Sequence, residues 1–79
     1  MDNLELRYND IVFHEITDTI QKSFVSSIRT SIERALKPVK KEIENSEGFV
    51  RINYKENKLE VSVFYLPEQL EQKIFRILK

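Results

Sequence analysis

The chain has 79 residues, 13 basic and 13 acidic side chains, no cysteine, one glycine and one histidine. That length means one domain, residues 1–79, and the missing cysteine excludes disulfides, a thiolate metal site and a cysteine nucleophile. A single glycine excludes a Gly-rich phosphate loop, a single histidine leaves no His-based metal cluster, and zero net charge argues against a generally basic nucleic-acid binder.

The zero balance hides a gradient. Residues 1–18 carry Asp2, Glu5, Asp10, Glu15 and Asp18 against Arg7, whereas residues 19–41 carry Lys22, Arg29, Arg34, Lys37, Lys40 and Lys41 against Glu33. Within one domain this predicts attraction between the acidic start and the basic middle. No apolar run approaches a membrane span, and Met1 is followed by Asp2 rather than a basic leader. The expectation is a cytoplasmic chain without a membrane partner.

Taken in order, Leu4, Leu6 and Tyr8 alternate with charged residues, as in an edge strand. Asn9-Asp10 reads as a turn. Ile11, Val12, Phe13 and Ile16 then fit a second strand or the first turn of a long helix. An offset of fifty residues places Ile11, Phe13 and Ile16 on Val61, Val63 and Leu66. The same offset places Ile20, Phe24, Val25 and Ile28 on Leu70, Ile74, Phe75 and Leu78. This shared strand-then-helix pattern favours a strand over Ile11–Ile16, with Thr17 or Asp18 capping the helix.

Val25, Ile28, Ile32, Ala35, Leu36, Val39 and Ile43 recur at steps of three and four, which predicts a long central helix. Pro38 lacks an N–H and clashes with the carbonyl of Arg34, so it kinks the helix or makes it restart. Asn45, Ser46 and Gly48 end the segment. Phe49–Tyr54 and Leu59–Leu66 are strands. With Glu56-Asn57 at the turn centre, Tyr54 faces Leu59, Ile52 faces Val61 and Val50 faces Val63, while Asn53 faces Glu60 and Arg51 faces Ser62. One face is apolar and the other polar. Pro67 suits the first turn of a final helix with Leu70, Ile74, Ile77 and Leu78 on one side, and Lys73, Arg76 and Lys79 near its C-terminal end. The fold class is therefore α+β, in ββαββα or βαββα order.

Phe49 and Phe64 fall on the otherwise polar hairpin face, where a sheet covered on one side leaves them exposed. With Arg51 they are the candidate partner-binding residues. Arg34, Lys37, Lys40 and Lys41 cluster around Pro38 and are the candidate nucleic-acid contacts in a competing reading. His14 lies near Glu15 and Asp18 but has no evident second base or oxyanion glycine, so it reads as a structural or surface histidine. Ser23, Ser26, Ser27, Thr30 and Ser31 are poor helix formers gathered on one helix and read as a solvated face.

The run Ala35-Leu36-Lys37-Pro38, the second hairpin strand Asn57-Lys58-Leu59-Glu60-Val61, and the stretch Leu70 to Leu78 together resemble a known family. Over about residues 33–79 they are similar to the small dimerising subunit of the KEOPS complex, which makes the threonylcarbamoyl modification on adenosine of certain tRNAs. The resemblance implies a non-catalytic subunit in tRNA processing that dimerises and docks a catalytic subunit through helices. This chain has Val39 where the family usually has an acidic residue, and its first helix is longer, so no docking residue is carried over. The expected function is a non-enzymatic interaction module, either an accessory subunit or a small inhibitor or adaptor. Its partner is a protein or a second copy, with no cofactor, metal or small-molecule substrate. Nucleic-acid binding is the alternative.

Overall fold

The computed structural model describes residues 1–78, so Lys79 lies outside the described residues. The chain runs through β1 (Leu4–Tyr8), β2 (Ile11–Val12), a 3-10 turn (Phe13–Glu15) and α1 (Thr19–Ala35). A second 3-10 turn (Lys37–Val39), α2 (Lys40–Glu44), β3 (Phe49–Lys55), β4 (Lys58–Phe64) and α3 (Glu68–Leu78) follow. The architecture is α+β: four strands in the order β2-β1-β3-β4 form one mixed sheet.

Two tight turns set the hairpins. Asn9 and Asp10 adopt φ of 50° and 69°, and Glu56 and Asn57 adopt 53° and 61°. Two consecutive left-handed residues are the mirror-type turn whose twist matches paired strands. The second turn fixes the β3–β4 register as the alternation predicts, from Tyr54 opposite Leu59 to Arg51 opposite Ser62. The first ties β1 to β2 with Tyr8 opposite Ile11.

Three expectations about the N-terminal half are corrected first. β1 is not an edge strand; it lies between β2 and β3 and pairs with β3 in parallel, Leu4 opposite Val50 and Leu6 opposite Ile52. Its alternation reports that one sheet face is uncovered, and an inner strand of such a sheet alternates as cleanly as an edge strand. The strand expected over Ile11–Ile16 stops at Val12 and gives way to the 3-10 turn. Phe13 and Ile16 both pack on the core. Three residues apart, they would leave an extended strand on opposite faces, whereas three residues per turn brings them to one side. Third, Ile20 and Phe24, matched by the fifty-residue offset to buried Leu70 and Ile74, are exposed, Ile20 at 80%. Phe24 meets Tyr8 and Tyr54 at the rim of the sheet rather than entering the core.

Asp18 caps α1, its Oδ1 accepting from the Gln21 amide at 2.8 Å. Pro38 divides the central helix: α1 ends at Ala35, the 3-10 turn carries the proline, and α2 restarts for one turn. The apolar phase survives the break, since Ile32, Leu36, Val39 and Ile43 are all buried. In α3 the carbonyl of Pro67 accepts from the Glu71 amide, and Leu70 and Ile74 are buried. Ile77, expected on the same face, is exposed. The helices and the inner sheet face share one core, in which Val25, Leu36, Ile43, Val50, Ile52 and Ile74 are the most deeply buried. Among the described residues no helix is long and apolar enough to cross a membrane.

Candidate functional site

Because Leu4, Leu6, Val50 and Ile52 point to the helices, strand alternation sends Glu5, Arg7, Phe49, Arg51, Asn53, Lys55, Glu60, Ser62 and Phe64 to the opposite face. Among the described residues no helix covers that face. The cross-strand partners Phe49 and Phe64 stack there with centroids 4.8 Å apart and planes at 16°. The Arg51 guanidinium lies 4.6 Å from the centre of the Phe64 ring and 5.7 Å from that of Phe49. Such contacts combine cation–π attraction with flat stacking, which arginine supports better than lysine.

Arg51 is also held from β1. Its Nε donates to Glu5 Oε1 at 3.2 Å, and Arg7 donates to the same oxygen. Partial burial pushes the Glu5 carboxyl up, but hydrogen bonds from Arg7 and Arg51 and their charges outweigh it, and the group titrates below its ordinary range. A second network lies at the other end of the face. The buried Asn53 donates to Asp10 Oδ1 at 2.8 Å and to Glu60 Oε1 at 3.0 Å, and accepts from the Asp10 amide at 3.1 Å. Lys55 Nζ donates to Asp10 Oδ2 at 2.7 Å. This hydrogen bond from Lys55 holds Asp10 below the usual aspartate range, and the same contact raises Lys55.

The three partner-binding candidates, Phe49, Arg51 and Phe64, thus form one cluster. The two rings are half-buried, by each other and by Arg51, rather than exposed. The N-terminal segment lies beside them as β1 and does not fold over them. The most exposed aromatic is Tyr65, which the sequence places inside the strand Leu59–Leu66: β4 instead ends at Phe64, and Tyr65 is 83% exposed with φ of 59°. A bulky side chain in this left-handed region costs about 1–2 kcal/mol. Its cause is local. Proline confines the preceding Leu66 to extended backbone, so the reversal from β4 into α3 falls on Tyr65. Gly48 lets the reversal nestle closely, because a Cβ there would overlap the Phe64 carbonyl oxygen and lie 2.6 Å from the Tyr65 carbonyl. An aromatic two residues before a proline at a strand end was the available signal.

The four basic candidates sit elsewhere. Arg34 is in the last turn of α1, Lys37 in the 3-10 turn, and Lys40 and Lys41 in α2, all exposed in the helix layer. The sheet separates them from Phe49, Arg51 and Phe64. None of the four is ion-paired with a described residue. The expected attraction between the acidic start and the basic middle is not what forms. Glu5 and Asp10 pair with Arg51 and Lys55 of β3, and Glu33 takes the N-terminal ammonium and Arg29. His14 is exposed in the first 3-10 turn, and the Asp18 carboxylate is engaged by the helix cap. Ser27 and Thr30 return their hydroxyls to the carbonyls of Ser23 and Ser26. Those hydroxyls serve the helix itself.

One more surface gathers aromatics. Tyr8 stacks on Tyr54 at 5.8 Å, and Phe24 meets Tyr54 edge-on at 4.9 Å. With Ile20, Gln21 and Asn57 they line a cleft beside the first turns of α1. No family model, curated protein or solved structure matches this chain.

Proposed function

We propose that the chain is a non-catalytic protein–protein interaction module whose partner docks on the open sheet face around Phe49, Arg51, Phe64 and Tyr65. The observation that carries this reading is the arginine stacked across two paired phenylalanines beside a strained, exposed tyrosine. Arginine and aromatic anchors dominate the energetics of protein interfaces. Here they sit on a rigid sheet, with Arg51 already held by Glu5. The module acts as a small accessory subunit of a larger cytoplasmic assembly, or as an inhibitor or adaptor. A KEOPS-like tRNA-modification complex is one such assembly. The test is affinity purification of the tagged chain from its native cells, compared with a Phe49→Ser, Phe64→Ser variant shown by circular dichroism to be folded. Loss of specific co-purifying proteins from the variant is expected. An unchanged set of partners defeats the proposal.

A second reading has its own observation: Arg34, Lys37, Lys40 and Lys41 are exposed and lack ion-pair partners among the described residues. Phosphate contacts made by such residues weaken steeply with salt. Gel shift with tRNA and duplex DNA at two salt concentrations tests it, and no shift at low salt ends it.

A further inference from the structure

The two edges of the sheet differ. β2 contributes only two residues, Ile11 and Val12, and the chain then leaves in a 3-10 turn. β4 contributes seven residues without a proline, Lys58–Phe64, and has no strand on its outer side among the described residues. Short edges protect themselves, and long ones present a row of unpaired backbone groups.

Which groups are unpaired follows from the turn. A two-residue loop makes Lys55 and Lys58 a hydrogen-bonded pair, after which paired and unpaired positions alternate. The backbone groups of Leu59, Val61 and Val63 therefore point away from β3. The other side of β3 obeys the same alternation: the Val50 amide and the Tyr54 carbonyl are bonded toward β1, to Asn3 and Asn9. The side chains of Leu59, Val61 and Val63 lie on the helix side. None is fully buried, and Leu59 is 47% exposed.

We propose that a second copy of this chain occupies this edge, β4 pairing antiparallel with β4 about a two-fold axis at Val61. The strand is complementary to itself in that register. On the helix side Val61 meets Val61 and Leu59 meets Val63, giving a continuous apolar row. On the open face Glu60 meets the hydroxyl of Ser62, and Lys58 meets the ring of Phe64. All seven residues pair, and the three outward positions of each copy form hydrogen-bonded pairs. Neighbouring registers are worse. An axis at Glu60 sets the two carboxylates of Glu60 against each other, which is destabilising. An axis at Ser62 sets Leu59 against Tyr65, which has already left the strand with φ of 59°. Axes at Leu59 or Val63 pair only three residues, because the turn or the strand end follows.

The association closes. A two-fold contact uses the long edge of each copy and leaves an eight-stranded sheet with β2 at both ends. This association uses the edge rather than the aromatic cluster, so it stands or falls separately from the partner-docking reading.

The experiment is solution mass by light scattering or sedimentation, from roughly 1 μM to 1 mM, the span weak specific interfaces occupy. The expected mass rises to twice the 9.5 kDa of one chain. Val61→Pro removes an outward N–H at an edge position that tolerates proline, so the variant remains folded and its mass stays at one chain. Because the chain has no cysteine, Val61→Cys supplies an independent readout that needs no destabilising change. In a hydrogen-bonded pair the two Cα atoms lie about 5.5 Å apart, within disulfide reach. Mild oxidation should link Val61→Cys to its own copy and leave Leu59→Cys unlinked. A single-chain mass for the wild type throughout, an undiminished dimer in Val61→Pro, or preferential linkage of Leu59→Cys overturns the proposal.

Discussion

Replacing Gly48 by alanine sets two opposing effects against each other. The sole glycine does not have a positive φ, so alanine fits its backbone, and on chain entropy alone Gly48→Ala stabilises by about 0.4–1 kcal/mol. The contact acts the other way. The added methyl would overlap the Phe64 carbonyl oxygen and lie 2.6 Å from both the carbonyl carbon and the carbonyl oxygen of Tyr65. These are backbone atoms, which no rotamer change removes. The end of β4 must move by about 1 Å, and overpacking of this kind costs about 1–3 kcal/mol. Tyr65 is already in a left-handed conformation, so the segment has little slack to yield. The net expectation is a loss of about 1–2 kcal/mol, or roughly 5–15 °C in Tm for a domain of this size. Thermal and urea melts followed by circular dichroism measure it. Tyrosine fluorescence should change as well, because the displaced segment carries Tyr65. A melting temperature equal to or above that of the wild type would refute the claim that Gly48 is required for the close approach rather than for its backbone freedom.

Other variants test the remaining structure. Leu36 is fully buried, so Leu36→Ala should cost about 2–5 kcal/mol, visible as a lower urea midpoint; a change below about 0.5 kcal/mol would remove Leu36 from the core. Glu56 adopts φ of 53°, a conformation glutamate tolerates poorly, and Glu56→Asn with Asn57→Gly should stabilise by about 1 kcal/mol; a lower melting temperature contradicts the turn assignment. Glu5 and Asp10 titrate below the ordinary 4.5 and 3.8. The unfolded chain therefore binds protons more readily, and this part of the stability is complete above those values and lost as pH falls through the folded ones. Urea midpoints between pH 7 and pH 2 should fall at the acid end, less steeply in Glu5→Gln; an identical slope in the variant shows that pairing with Arg7 and Arg51 does not shift Glu5.

The β3–β4 hairpin was legible because its two signals agree. Val50, Ile52 and Tyr54 alternate with Arg51 and Asn53, and only a turn centred on Glu56-Asn57 sets like against like. The buried phase Ile32–Leu36–Val39–Ile43 was equally readable through the proline, since the 3-10 turn preserves the direction of the apolar stripe. The position of β1 was not readable. Alternation tells which side of a strand is wet, and it is blind to whether a neighbour lies on one edge or two. The pairing of charges failed for a related reason. Composition placed acid near base along the chain, but Glu5 lies in register with Arg51 because β1 runs parallel to β3, a relation that spans 46 residues. The clustering of Phe49, Arg51 and Phe64 followed from the hairpin register, whereas Tyr65 depended on a strand-to-helix reversal that a strand pattern does not describe.

That parallel pairing also shapes what the open face can recognise. Glu5 is shared by Arg7 and Arg51, and Asp10 pairs with Lys55, so the face meets a partner with most of its charges already paired. A partner gains little there from long-range attraction, and the affinity must come from contact with the rings and with the edge of the guanidinium. Arg51 is suited to that task because its side chain is already fixed, by Glu5 along its Nε side and by two rings beneath it. An arginine free in solution loses about 0.5–1.5 kcal/mol of rotamer freedom when a partner immobilises it, and here folding has already taken that loss. The helix end is built the opposite way, with Arg34, Lys37, Lys40 and Lys41 exposed and unmatched by described acids. The two surfaces therefore predict opposite salt behaviour for whatever binds them: near-indifference at the sheet, and steep weakening at the helices.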